Sequence, residues 1–368
     1  MGDSGFYKDY SASALTSAEN ITNAQQNLID LGMDLGPSGA DGDWGGRSQA
    51  AAAKWQEING YEVTGDITTR QFAALQMQAE HPSMFHRQQL KPFYENFDQS
   101  LANDLDPARK ALLMQAASHL GVQEIGDNTG PAVEQYLASD GRMSTGVAWC
   151  AAFGSWGMDQ IENHAGIPNN SYMEANMRVH ELHEHIQENS PNAIKSLKDY
   201  EPQTGDMLLA ISPDGTGHYS MVVESYPTEG GTTAMLTIDG NAGDAVSVSV
   251  RLAYTDPNSG ISAAVEMNPE DPLDQTIHPE IKMVAVDISE LPNYDALNAG
   301  FNRKADFVPT PSADPNFKPD LEQLAALQEN IQLYRDAKAP TLPELKPLDF
   351  NNGVQMSATT AFNLAPGG

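Results

Sequence analysis

Between residues 15 and 80 apolar positions recur at helical spacing in three short runs. Ile21, Ala24, Leu28 and Leu31 lie three or four residues apart, and Gly32 stands where such a helix is expected to stop. After the turn-rich stretch GPSGADGDWGG, a second run places Ala51, Trp55 and Ile58 on one face and ends at Asn59-Gly60. The segment YEVTGDITTRQFAAL then predicts a turn at Thr64-Gly65, an N-cap at Thr68 and a third helix carrying Phe72 and Leu75. These runs predict a small all-α three-helix bundle over residues 15–80, preceded by a tail, 1–14.

Residues 81–106 are mixed and polar, with Pro82 and Pro92, and read as a linker. The pattern from 107 onward changes character twice. Asp106 and Pro107 form a helix start, an N-cap followed by proline at the first helical position, and Gly121 is placed as its C-terminal stop. A further helix is expected to begin near Cys150 and run through WCAAFGSWGMDQIEN. From about residue 204 the period shortens to two, with strands expected at 206–211, 218–225, 233–239, 244–252 and 281–287. Helices followed by strands predict an α+β domain, helices packed on a mostly antiparallel sheet, over 107–290. The remainder, 291–368, has seven prolines from Pro309 to Pro347 around one helical run, DLEQLAALQENIQLYRDAKA. It reads as a proline-rich arm that docks on something or stays flexible.

Composition narrows the function classes. Fifty acidic against twenty basic residues give a net charge of −30, which argues against nucleic acid, whose binding rests on neutralising phosphates. The same charge argues against docking on an anionic membrane. No apolar stretch is long enough to span a bilayer, so no membrane insertion is expected. The first residues, MGDSGFYKDYSASALTSAEN, have neither a basic start nor an apolar core, so no signal peptide is expected and synthesis is placed in the cytoplasm. A single cysteine excludes an internal disulfide framework and a thiolate zinc cluster.

That cysteine, Cys150, stands in VAWCAAFGSW at the junction of a loop and a helix. Backbone N–H groups and the positive end of the helix dipole favour a thiolate there, the species that attacks carbonyls. His218 follows a glycine turn and opens the strand HYSMVVES, where an imidazole can reach across to a helix terminus as general base. The next strand ends at Asp239-Gly240-Asn241; either Asp239 or Asn241 could accept the Nδ1–H of that histidine and hold its tautomer. His180, His183 and His185 in RVHELHEHIQE lack the H-E-x-x-H spacing, because Glu184 holds the position of the second histidine. No metal and no cofactor is expected.

Taken in order, VQEIGDNTGPAVEQYL, AWCAAFGSW, TGDMLLA, GHYSMVVES and IDGNAGDAV resemble the CHAP and NlpC/P60-type cysteine peptidases. The resemblance covers residues 107–255 and implies a papain-like catalytic domain with Cys150 as nucleophile, His218 as base and Asp239 or Asn241 as the polar third member. Many relatives carry a second, non-nucleophilic cysteine where Gly157 stands here. Separately, residues 24–75 are similar to the three-helix peptidoglycan-binding domain, through the turn Asp41-Gly42-Asp43-Trp44-Gly45, the helix motif ending Trp55-Gln56 and the closing Val63-Thr64-Gly65-Asp66. Together they imply a peptidoglycan hydrolase cutting an amide bond in the cell wall, a phage endolysin or virion-carried lysin. An injected antibacterial effector amidase, or a wall-binding virion protein with a decayed site, are the alternatives. The arm would dock on a virion or secretion-apparatus component.

Overall fold

A computed structural model of the chain describes residues 13–82, 84–86, 88–91, 105–139, 146–167, 178–227, 231–268, 271–303 and 307–338. It divides into two compact units, Met1–Pro92 and Phe93–Gly368. The first contains α1 (Ala18–Asp30), α2 (Gly46–Ile58) and α3 (Thr69–Glu80). Each start is capped as its local sequence dictates: Ser17 accepts from Asn20 N–H, and Thr68 with Gln71 forms a reciprocal capping box. Ala24, Leu28, Leu31, Ala52, Trp55, Ile67 and Leu75 form the core, whereas Ile21 is half-buried. Ala14 and Phe85 also enter this core, so the unit extends past both ends of the expected 15–80 and takes in the start of the expected linker.

The second unit is an antiparallel barrel with helices, an α+β arrangement. Its helices are α4 (Pro107–Ala117), α5 (Pro131–Ser139), α6 (Cys150–Ala165), α7 (Val179–Asn189), α8 (Tyr294–Phe301) and α9 (Leu321–Lys338). Its strands are β1 (Ile194–Lys195), β2 (Met207–Ile211), β3 (Gly217–Pro227), β4 (Thr232–Asp239), β5 (Ser247–Thr255), β6 (Ser262–Asn268) and β7 (Asp271–Val286). They pair in the order β1-β7-β2-β3-β4-β5-β6, and β6 pairs back onto β7. That last pairing closes β2 to β7 into a six-stranded barrel, which removes its edges. Leu208, Ala210, Val222, Met235, Ala253, Ala264 and Met283 fill the interior.

Three expectations are corrected here. Gly121 does not close α4. The helix ends at Ala117, and Gly121 at φ +89 turns the chain so that its N–H reaches the Val246 carbonyl. The strand expected at 244–252 begins at Ser247, because Asn241 and Asp244 at positive φ make 240–246 a turn. Most of all, the arm expected over 291–368 is part of the second unit as far as Lys338. Gly300 lies against Ala165, Arg335 Nε donates to Glu224 at 2.8 Å on β3, and Asp320 N–H reaches the Leu120 carbonyl. The prolines make an extended strap rather than a free tail, because side chains of the helices take up its backbone groups. Gln115 bonds both N–H and C=O of Thr310, and Gln135 bonds Pro311 C=O and Ala313 N–H. Residues 339–368, with the last three of those prolines, lie outside the described residues.

Candidate functional site

The site is assembled where α6 starts against one end of the barrel. Two glycines bring the pieces into contact. A Cβ on Gly154 would lie 2.3 Å from the Tyr219 ring, so only glycine lets α6 settle on β3 one turn after Cys150. A Cβ on Gly240 would lie 2.6 Å from Phe153, so the end of β4 also closes onto α6. Behind Cys150, Trp149, Phe153 and Trp156 pack around Tyr136 and His119. Glu124 braces the approach, one oxygen accepting from Trp149 Nε1 at 3.0 Å and the other from Asn128 N–H at 3.0 Å.

His218 is the second residue of β3 and Asp239 the last of β4, so antiparallel pairing puts both at the same end of the barrel. His218 pairs with Ala210 and Arg251 with Met235, which turns both toward the interior face. His218 Nε2 lies 3.4 Å from Asp239 Oδ2. Arg251 donates from Nε to the same oxygen at 2.9 Å and also from Nη2. Nη2 also lies 3.0 Å from His218 Nε2. The ring nitrogen facing the carboxylate is therefore Nε2, where Nδ1 was expected. Cys150 and His218 are hydrogen-bond partners, which leaves Nδ1 for the thiol.

The four side chains are buried, and their charges decide their protonation. Burial pushes the Cys150 thiol up. The His218 hydrogen bond and charge, with the backbone N–H groups of Tyr219 and Ala151, outweigh it and hold the thiol below its ordinary value. Burial and Arg251 both disfavour the imidazolium of His218, yet its bonds to Asp239 and Cys150 raise it overall. Burial likewise opposes the Asp239 carboxylate, and Arg251 and His218 together hold it well below the usual carboxylate range. Each direction favours the charged form of its group: thiolate at Cys150, imidazolium at His218 and carboxylate at Asp239.

Of the two alternatives for the third position, Asp239 stands beside the imidazole. Asn241 sits in the following turn at φ 56, and its Nδ2 donates to Asn128 Oδ1 at 3.0 Å. Arg251 was not anticipated. The one signal for it was a lone arginine inside an otherwise apolar and serine-rich strand, VSVSVRLA. His180, His183 and His185 lie along α7, where His180 Nδ1 approaches Glu184 at 3.7 Å. Among the described residues no group of three or more His, Cys, Asp or Glu is arranged to hold a metal ion. Among them, too, no helix is long and apolar enough to cross a membrane.

In the first unit a glutamine network holds the turn after α1. Gln25 donates to Asp41, to the Asp43 carbonyl and to Ser48, and accepts from Gly42 N–H. Trp44 Nε1 donates to the Gly65 carbonyl at 3.1 Å, tying this turn to the one before α3. Residues 17–75 match the family model "Putative peptidoglycan binding domain". The match covers the first two helices and the start of the third, and the peptidoglycan-binding domain associates the chain with the cell wall. No model of a CHAP or NlpC/P60 catalytic family matches the remainder. No curated protein and no solved structure matches the chain.

Proposed function

We propose that the chain is a cysteine-dependent peptidoglycan hydrolase, its first unit holding the wall and its second cutting an amide bond there. The reading rests on the convergence of Cys150, at the start of a buried helix, with His218 and Asp239, in a chain that also carries a peptidoglycan-binding domain. A nucleophile helix packed on an antiparallel sheet, whose strands bear the base and its partner, fits a papain-like layout. A phage lysin, released at lysis or carried in the particle, is the delivery class such a combination serves. The described part of the proline strap packs within its own unit and lends no support to attachment on a particle.

The Cys150 thiolate attacks the carbonyl carbon of the scissile amide, forming a C–S bond and an oxyanion. The N–H of Cys150, in the first turn of α6, has no i−4 carbonyl inside the helix and would donate to that oxygen. The oxyanion collapses, the C–N bond breaks, and His218 gives its Nδ1 proton to the leaving amine. Water then attacks the thioester while His218 takes a proton from it, and the thiolate leaves. Asp239 steadies the imidazolium through Nε2 in both halves. The bond cut is the sugar–peptide amide or a peptide bond of the stem or crossbridge.

Zymography on purified sacculi tests this reading. Cys150→Ala should cut lysis by at least about 10³-fold while co-sedimentation with sacculi stays unchanged. Undiminished lysis by that variant would rule out the thiol mechanism, and the masses of the released fragments name the bond.

A further inference from the structure

Arg251 is the charged group of the site that the mechanism above leaves without a task. It is buried on β5, with its guanidinium laid along the barrel interior between Asp239 and His218. Asp239 and Arg251 address the same atom, Nε2 of the imidazole. When His218 is a cation, Nε2 carries a proton and donates toward Asp239 Oδ2, 3.4 Å away. When it is neutral, Nδ1 is free as the mechanism requires and the Nε2 proton still faces Asp239, and the positive guanidinium, its Nη2 3.0 Å from Nε2, no longer meets a like charge on the ring. The carboxylate thus stabilises the charged ring and the guanidinium the neutral one. A guanidinium does not lose its charge in a protein, so this opposition persists at every working pH.

A buried carboxylate acting unopposed on an imidazole would hold its proton far above neutrality and make it a poor base. We infer that Arg251 is a positioning residue that clamps Asp239 and sets the pH at which His218 exchanges its proton. The groups facing the ring are Cys150 from α6, Asp239 from β4 and Arg251 from β5, with Tyr219 next to it on β3. The catalytic consequence rests on the cysteine-hydrolase reading, whereas the titration belongs to the cluster itself.

The test is a titration of His218 by NMR in full-length protein labelled at histidine Cε1, without peptidoglycan. It is done in a Cys150→Ser background, so that no thiolate shares the transition. The chain has nine histidines, and His218→Gln assigns the resonance. Arg251→Gln should raise the midpoint by at least about one pH unit, as expected for losing a cation in contact. Asp239→Asn should lower it by a similar amount. The double variant Asp239→Asn/Arg251→Gln, which exchanges a buried ion pair for two neutral amides, should return it toward the parent value. Arg251→Lys, with cysteine restored, should keep the alkaline limb of the lysis profile near the parent position while slowing lysis.

An unmoved midpoint in folded Arg251→Gln overturns the inference. If that variant does not fold, the double variant decides: a midpoint equal to that of Asp239→Asn alone overturns it as well. Should the midpoints shift as stated while the parent protein leaves sacculi intact, the hydrolase reading fails and the role of Arg251 stands.

Discussion

The two units satisfy their buried polar groups by different chemistry. In the peptidoglycan-binding domain the work falls to neutral amides: Gln25, Gln56, Gln71 and Gln78 are buried and bond to partners 8 to 23 residues away, among them Thr64, Gln71, Ser48 and Trp55. In the second unit it falls to charges that meet across the chain. Arg109 reaches Asp206 over 97 residues and Asp287 over 178, and Arg251 pairs with Asp239. Amide networks are indifferent to pH, whereas ion pairs and buried imidazoles are not. A binding domain held by neutral amides is thereby joined in one chain to a site built from charges.

The sharpest way to separate the units is therefore acid. His119 is buried in the second unit, with Nε2 donating to the Thr310 carbonyl at 2.9 Å and Nδ1 at 2.7 Å from the Tyr136 hydroxyl. Burial lowers its pKa from 6.5 to about 4, the Thr310 bond opposing this only in part. Because the folded value is the lower one, the unfolded chain binds the proton first. The stability this histidine contributes is complete above about pH 6.5 and is lost as pH falls toward 4, about 3 kcal/mol in all. In the first unit, backbone N–H of Asp43 and the Gln25 amide hold Asp41 below 3.8, so its contribution is lost only in stronger acid.

Two of the four tryptophans, Trp44 and Trp55, report on the first unit, and Trp149 and Trp156 on the second. Fluorotryptophan-labelled protein melted at pH 7 and 4.5 should show the second pair of resonances losing far more thermal stability than the first. Equal losses would erase the contrast.

The same contrast explains what was legible in the chain. Caps at Thr68 and Asp106, the turn at Trp44 and the helix face of Trp55 are written within a few residues, so pattern alone located them. Cys150, His218 and Asp239 were found because each ends or begins an element, a position that carries chemistry. Arg251 has no such mark, since its meaning comes from a register in which it faces the barrel interior opposite Met235. The strap at 310–313 was unreadable for a related reason. It is held by amides of Gln115 and Gln135, 176 to 195 residues away in the sequence, not by hydrophobicity of its own. Likewise β6 and the first half of β7 escaped notice, and with them the closure of the barrel.

Next in size is the effect at the third position of the site. Asp239→Asn removes the charge that supports the imidazolium, and lysis should fall on the order of 10²-fold. Asn241→Ala removes a bond to Asn128 in the turn beside the site and should cost a few-fold at most. The comparison is made in turnover on soluble wall fragments, with binding to sacculi as the control. The reverse order would assign the role to Asn241 and mean that the turn at 240–246 rearranges around substrate.

The smallest effect belongs to the neutral network, and it tests whether the first unit depends on its amides as the second depends on its charges. Gln56 is fully buried, its Oε1 accepting from the N–H groups of Thr64 and Gly65 at 2.9 Å each, its Nε2 donating to the Asp66 carbonyl at 2.7 Å. Gly65 is held at φ +75 with the Gln49 carbonyl 3.1 Å from where a Cβ would stand, so the turn has little room to find other partners. Gln56→Ala removes all three bonds and leaves the buried Gly65 N–H without its acceptor, a loss of about 2 kcal/mol. The Trp44 and Trp55 resonances should melt earlier by that amount at pH 7 and at pH 4.5 alike, because no ionisable group has been touched. Sacculus binding should weaken at temperatures near the new transition, while the alkylation rate of Cys150 by iodoacetamide stays at the parent value. A Gln56→Ala loss that grows on acidification would show that charge enters the first core after all.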